Sequence, residues 1–279
     1  MARNTKYNLR DEDIETYYRE GVVCLRGVLN HDWIKQLQDA VEEVLANPGP
    51  QARADESKGG RNLYDTFMWT RNETFWQLQC ESPLPAVTAK LMRSSVSHLL
   101  ADVLFAKEPN TPVPTPWHQD QPYGWYNGSQ TISCWLPLDP VDLSSGALEY
   151  VRGSFRDNVW YRPVGFATGE EANAVEFQPM PEIEKNRDKY DIFHFDMEPG
   201  DLLIHHLLIL HGAPGNDTSS TRRRAIAFRY SGDDATYVER KFGPKPIFPS
   251  GLKDGDKFGT DLFPQVWPRT GLLRRFWEN

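Results

Sequence analysis

In Pro114-Thr-Pro-Trp-His-Gln-Asp-Gln-Pro-Tyr123, the residues Trp117 to Asp120 read as a short strand reached through a proline-rich approach. His118 and Asp120 are spaced i, i+2, which on a strand puts both side chains on one face. An imidazole beside a carboxylate is two-thirds of a 2-His-1-carboxylate facial triad. That arrangement holds Fe(II) on one side and leaves the other side open for O2 and an organic acid.

Strand signals continue on the C-terminal side. Thr131 to Leu138, Ala147 to Val151, Leu202 to His206 and Ala225 to Tyr230 are rich in β-formers, with turn signals between them. The N-terminal third reads differently. Asp11 to Glu20 is a short helix capped by Asp11 or Asp13 and ended by Gly21, and Val22 to Leu25 is an apolar strand. Asn30 or Asp32 then caps a helix whose apolar positions are Trp33, Ile34, Leu37, Val41, Val44 and Leu45. Residues 51–60 read as a polar loop, about Ala86 to Leu100 as a further helix, and Asp102 to Lys107 as a strand. The aromatic stretch Asn62 to Trp76 reads as core or pocket wall, with core ahead. The segment 157–195 is a lid or an insertion over the core. The expected fold is therefore mainly β with flanking α-helices, in one domain spanning 1–279.

A triad needs a second histidine from a distant strand. After Asp120 the candidates are His194, His205, His206 and His211. His211 ends an apolar strand-like run just before the Gly-rich turn Gly212-Ala-Pro-Gly215, a placement that suits a cavity rim. His205 and His206 sit inside that run and read as packed or hydrogen-bonded core residues. An oxygenase that uses 2-oxoglutarate also needs a fixed cation for the remote carboxylate. Arginine suits it, because its planar fork makes two parallel hydrogen bonds. In the run Arg222-Arg223-Arg224, the strand face of Arg223 carries Ala225, Ala227 and Arg229. Small neighbours favour a pocket, so Arg223 is the expected clamp and Arg222 the alternative.

Composition narrows the partners. With 31 Lys and Arg against 39 Asp and Glu the net charge is −8, which disfavours nucleic acid and anionic membrane. Three widely spaced cysteines suggest neither a disulfide framework nor a zinc knuckle. The first ten residues lack the apolar run of a secretory leader, and no run approaches membrane-spanning length. A reduced, cytoplasmic protein is expected, and no pattern speaks to its oligomeric state.

Taken in order, several stretches resemble one family. They are Pro116-Trp-His-Gln-Asp120, Ser133-Cys-Trp-Leu-Pro-Leu-Asp139, Gly146-Ala-Leu-Glu-Tyr-Val-Arg-Gly-Ser154, Pro199-Gly-Asp201, His211-Gly212 with Asn216, and Arg223-Arg-Ala225. The opening helix with Gly21-Val-Val-Cys-Leu-Arg-Gly27 belongs to the same pattern. The chain resembles the phytanoyl-CoA dioxygenase family of Fe(II)/2-oxoglutarate oxygenases over most of its length except 50–100 and 157–195. The resemblance implies a double-stranded β-helix (jelly-roll, cupin-like) core. It implies His118, Asp120 and His211 as iron ligands, Arg223 as the 2-oxoglutarate clamp, and Gln119 and Trp135 as lining of the co-substrate pocket. Two features depart from the pattern: Phe155 stands where relatives often have His, and the spacing from His211 to Arg223 is one residue long, which keeps Arg222 in play. Lys58, Arg61 and Tyr64 are the candidates for an N-terminal co-substrate contact.

The implied activity is a dioxygenase that uses Fe(II), O2 and 2-oxoglutarate to hydroxylate a small-molecule C–H, releasing succinate and CO2. The aspartate favours oxygenation over halogenation. Aromatic residues in 62–76, Tyr123-Gly-Trp-Tyr126 and 157–195 point to an apolar or aromatic substrate, and Arg71, Arg152 and Arg162 read either as contacts to an acidic group or as surface residues. The competing readings are a metal-dependent jelly-roll enzyme of cupin type without 2-oxoglutarate chemistry, and a non-catalytic binding module.

Overall fold

The structure is a computed structural model that describes residues 2–56, 60–166, 168–242, 245–271 and 273–277. Helix α1 (Asp11–Glu20) leads into β1 (Val22–Leu25), and α2 (His31–Ala46) into β2 (Arg53–Asp55) and β3 (Asn62–Thr66). Helices α3 (Glu73–Glu81) and α4 (Leu84–Leu91) follow, then β4 (Ser97–Lys107), β5 (Thr115–His118), β6 (Tyr126–Asn127), β7 (Thr131–Pro137) and β8 (Glu149–Val151). Beyond the long connection come β9 (Ile192–His194), β10 (Leu202–His206), β11 (His211–Ala213), β12 (Arg223–Ser231), β13 (Thr236–Tyr237) and β14 (Gln265–Trp267).

The main sheet runs β1-β10-β7-β12-β4-β3-β2, with β14 also on β4, and a second sheet runs β5-β11-β8-β9. Every ladder is antiparallel. The two sheets form a jelly-roll core, mostly β, with the helices outside.

Strand alternation explains the layering. On β12, Ile226, Phe228 and Tyr230 face the main hydrophobic core under the helices, together with Cys134 and Leu136 of β7 and Ile204 of β10. The intervening residues Ala225, Ala227, Trp135 and Leu203 pack between the sheets with Tyr150 of β8 and with Leu148 just before that strand. Helix α2 covers the outer face with Trp33, Ile34, Leu37, Val41 and Val44, all buried. Each such side chain contributes about 1.5–3 kcal/mol relative to exposure. Asn30 caps this helix by accepting from Trp33 N at 3.3 Å. Helix α1 ends at Gly21, whose φ of +85° is the left-handed conformation that glycine adopts without cost. Its N-terminus differs from expectation: Arg10 is the capping position and Asp13 accepts from its N–H at 3.0 Å. Gly200, with φ +104°, turns the chain so close to Leu29 that a Cβ would lie 2.5 Å from the Leu29 carbonyl, which makes Pro199-Gly-Asp201 a fixed entry to β10.

Three expected elements differ. The helix over Ala86 to Leu100 ends at Leu91, and Ser97 to Leu100 open β4. Arg93 takes a left-handed conformation, and Asp233 accepts from the hydroxyls of Ser94 and Ser95, which turns the chain into the sheet. The nine-residue ladder with β12 then outweighs the helical spacing of Val96 and Leu99. Residues 51–60 are not all loop, since Arg53–Asp55 pairs with β3. Third, β5 stops at His118, and Asp120 has φ −76° and ψ −36°, opening the 3-10 turn Gln121–Tyr123. The aromatic stretch divides: Phe67, Trp69, Phe75 and Trp76 join the main core, whereas Tyr64 meets Phe105 edge-on at 5.6 Å.

Candidate metal and co-substrate site

His118 and His211 lie directly opposite each other in the β5–β11 ladder. Opposed residues on neighbouring antiparallel strands bring their Cβ atoms within about 5 Å, and here the two imidazole centroids are 4.1 Å apart. Asp120 joins them from the turn beyond β5. One ligand atom from each of His118, Asp120 and His211 lies within 4.8 Å of the others, and all three residues are buried.

Backbone carbonyls fix both rings. Nδ1 of His118 faces Pro116 O at 2.8 Å, and Nδ1 of His211 faces Ile209 O at 3.1 Å. A carbonyl only accepts, so each Nδ1 carries the proton and donates, leaving the Nε2 lone pair free for a cation. Burial pushes both imidazoles below their ordinary pKa, His211 well below. For Asp120, burial works to raise the pKa, but the Arg229 guanidinium and His205 more than offset it and hold the carboxyl well below its usual range. Two neutral imidazoles and one carboxylate are the protonation states that a divalent cation requires. The donor set fits ferrous iron, as it would other divalent cations that accept nitrogen and oxygen.

Arg223 lines the same cavity. It is 3% exposed, and its Nε has no hydrogen-bond partner among the described residues. Burial lowers its pKa to about 10. Trp135 lies under the guanidinium at 5.7 Å. The other two arginines of the run are engaged elsewhere: Arg222 pairs with Glu108 and Glu42, and Arg224 with Asp139 and Glu42. A buried guanidinium at a cavity wall, with no ion pair among the described residues, is what an anionic ligand would complete.

Gln119 is placed differently from expectation. It is not among the residues lining this cavity. Its amide donates to Val159 O at 2.9 Å and Leu208 O at 2.7 Å and accepts from Tyr161 N at 2.9 Å, anchoring the long connection. Residue 119 lies between a strand end and a turn, so its side chain leaves the cavity between two that enter it. That connection covers the site: the Tyr123 hydroxyl binds the Val164 backbone, and the Phe166 ring sits 4.7 Å from that of His118. Among the N-terminal candidates, Lys58 lies outside the described residues, and Arg61 pairs with Glu56 at 2.9 Å. Tyr64 stands close enough to Arg223 to act on its charge. Arg71, Arg152 and Arg162 pair with Asp65, with Glu20 and Asp191, and with Glu171.

The cavity also holds Arg229 and His205, neither of which the sequence reading chose as a ligand or clamp. Arg229 donates from Nη2 to Asp120 Oδ1 at 2.7 Å. His205 Nε2 lies 3.4 Å from Asp120 Oδ2, and its Nδ1 lies 3.0 Å from the Tyr150 hydroxyl. Strand alternation from Arg223 through Ala225 and Ala227 pointed to Arg229; His205 read as a packed or hydrogen-bonded core residue, and it is buried and hydrogen-bonded. His206 is bonded to Ser129 O at 3.2 Å and packs on Phe155, and His194 lies beside Asp196.

Comparison with known proteins agrees with this geometry. The bovine "Phytanoyl-CoA dioxygenase, peroxisomal" is 26% identical over 125 residues, covering 44% of this chain and 35% of that protein. The chain thus spans about a third of the length of that relative. The "Multifunctional dioxygenase ausE" of Emericella nidulans is 22% identical over 273 residues, covering 94% of this chain and 83% of that protein. The solved structure of the epimerase SnoN in complex with Fe3+, alpha ketoglutarate and nogalamycin RO superposes with TM-score 0.74 at 20% identity, covering 92% of this chain and 98% of SnoN. The family model for phytanoyl-CoA dioxygenase (PhyH) matches residues 17–225, three-quarters of the chain, and this protein belongs to that family.

Proposed function

We propose that the protein is an Fe(II)/2-oxoglutarate-dependent dioxygenase that oxidises, most simply by hydroxylation, a C–H bond of an apolar or aromatic small molecule. The observation that carries this reading is one cavity that unites His118, Asp120 and His211 with the buried Arg223, whose Nε has no partner among the described residues. A cupin-type hydrolase or isomerase would need the first three groups and not the fourth. The relatives' descriptions as dioxygenases, and the SnoN complex with Fe3+ and alpha ketoglutarate, support the same reading.

His118, Asp120 and His211 would hold the iron. Bound there, it supplies the coupling of 2-oxoglutarate decarboxylation, giving succinate and CO2, to delivery of an oxygen atom to the substrate. Arg223 would grip the remote carboxylate with two parallel hydrogen bonds, and Trp135 would pack along the carbon chain. The small side chains of Ala225 and Ala227 on the same strand face leave room for that chain. Phe166 and Leu148 would exclude water, which keeps the electrostatic contacts strong. Phe105 and Phe166, which line the cavity, would orient the substrate carbon.

The test is succinate release from purified protein supplied with Fe(II), ascorbate and 2-oxoglutarate across a panel of aromatic and aliphatic small molecules. Iron-dependent succinate, coupled or uncoupled, is the expected result. Its absence across the panel, together with no 2-oxoglutarate binding to the metal-loaded protein, sinks the assignment.

A further inference from the structure

Asp120 is bracketed on both carboxylate oxygens. Arg229 of β12 donates to Oδ1 at 2.7 Å, and His205 of β10 faces Oδ2 at 3.4 Å. An ionised carboxylate only accepts, so His205 Nε2 is the donor; its Nδ1 is then an acceptor for the Tyr150 hydroxyl of β8, 3.0 Å away. The Tyr150 ring also stacks on His211, with centroids 5.8 Å apart. Three strands thus converge on a carboxylate that stands outside any strand, on a turn where no ladder restrains it.

We propose that Arg229 and the His205–Tyr150 pair are positioning residues that hold the Asp120 carboxylate where it can share one cation with His118 and His211. The proposal rests on reading that trio as a metal site. Charge alone gives Arg229 no reason to help a cation bind, because a guanidinium beside a divalent ion repels it. What it offers is orientation: a buried donor that fixes one oxygen and the plane of the group, while His205 restrains the other. Partners of this kind, one bond removed from the ligands, are typically worth 10- to 100-fold in metal affinity.

The two roles open to Arg229 predict opposite signs, which makes the proposal decidable. Mn(II), a redox-silent probe, is titrated calorimetrically into the metal-free full chain as wild type, Arg229→Met, Arg229→Lys and Tyr150→Phe, with thermal unfolding of each metal-free form alongside. Positioning predicts that Arg229→Met binds Mn(II) about 10- to 100-fold more weakly although a positive charge has been removed. It predicts that Arg229→Lys regains part of the loss through its single donor, and that Tyr150→Phe binds about tenfold more weakly. A merely structural role would lower the melting temperature and leave the affinity of the folded protein unmoved. Equal or tighter binding by Arg229→Met overturns the proposal. Should that variant fail to fold, Tyr150→Phe decides, and unchanged affinity there overturns it. If the wild type binds no Mn(II), the metal-site reading itself fails and takes this inference with it.

Discussion

Arg223 carries its charge into the interior with no carboxylate in ion-pair reach among the described residues, and its Nε is unpartnered. Neighbouring Lys107 is directly opposite in the β4–β12 ladder, and its Nζ already donates to Pro214 O at 2.7 Å and Val113 O at 3.3 Å. Burial, with Arg223 beside it, pushes that lysine down to about 6, so the guanidinium is the fixed charge of the pair. Replacing it with an ammonium keeps the charge and loses the fork. A hydrogen bond to a charged group contributes about 1.5–3 kcal/mol, so Arg223→Lys is expected to raise the 2-oxoglutarate concentration for half-maximal succinate release about tenfold or more, with kcat little changed. Asp120→Ala acts differently. It removes a proposed ligand and leaves Arg229 buried without its counter-ion, so bound metal and succinate release should both be lost. Metal content and initial rates measure the two outcomes. Wild-type values in both variants would remove the carboxylate and the clamp from the assignment together.

The strand is the scale at which the sequence was most readable, and β12 is where it read best. Its two faces do separate jobs. Phe228 is fully buried under the helices, and Ala227 lines the cavity. Phe228→Ala should therefore cost about 3–5 kcal/mol of stability while the folded fraction binds 2-oxoglutarate normally. Ala227→Leu should cost about 1–3 kcal/mol by overpacking and abolish 2-oxoglutarate binding. Denaturant unfolding and calorimetric titration of the metal-loaded protein separate these outcomes; the same pattern in both variants would mean that the alternation does not divide core from site. A period of two was enough to read this strand, because every second residue is small or cationic. The same reasoning placed His118 and Asp120 on one strand face, yet they are joined by a turn that Pro122 helps to form, and only the spacing survives. It also made a helix of Ser97 to Leu100, where apolar residues satisfy both periods and the pairing with β12, distant in sequence, decides. The partners of Gln119 and His205 were not legible for a related reason: what each touches is set by strands and loops 40 or more residues away.

At the scale of the whole molecule, the helical layer is tied to the main sheet through one buried carboxyl. Asp102 of β4 is fully buried, and its Oδ2 accepts from Trp69 N at 3.0 Å and from Gln79 Nε2 of α3 at 2.9 Å. The charged groups that act on it, Arg71 and Asp65, pair with each other. Burial dominates and raises the Asp102 pKa to about 7, against 3.8 for the ordinary carboxyl. Since the folded value lies above the unfolded one, the native state binds a proton that the unfolded chain has released between about pH 4 and 7. The contribution of this group is therefore fully present below about pH 4, is lost as pH rises to about 7, and is level above that. At about 1.4 kcal/mol per pKa unit the loss is a few kcal/mol in order of magnitude. Asp102→Asn imitates the protonated form: its carbonyl can accept from Trp69 and Gln79, and its amide replaces the acid O–H. The variant should lack this component of the pH slope, with its advantage over wild type growing from pH 5 to pH 7 and constant by pH 8. Denaturant unfolding of both proteins at each pH measures the difference directly, and ionisable groups common to both cancel. A difference that does not change across that range would mean that Asp102 is ionised in the folded protein, and that the junction between helices and sheet carries a buried charge rather than a neutral acid.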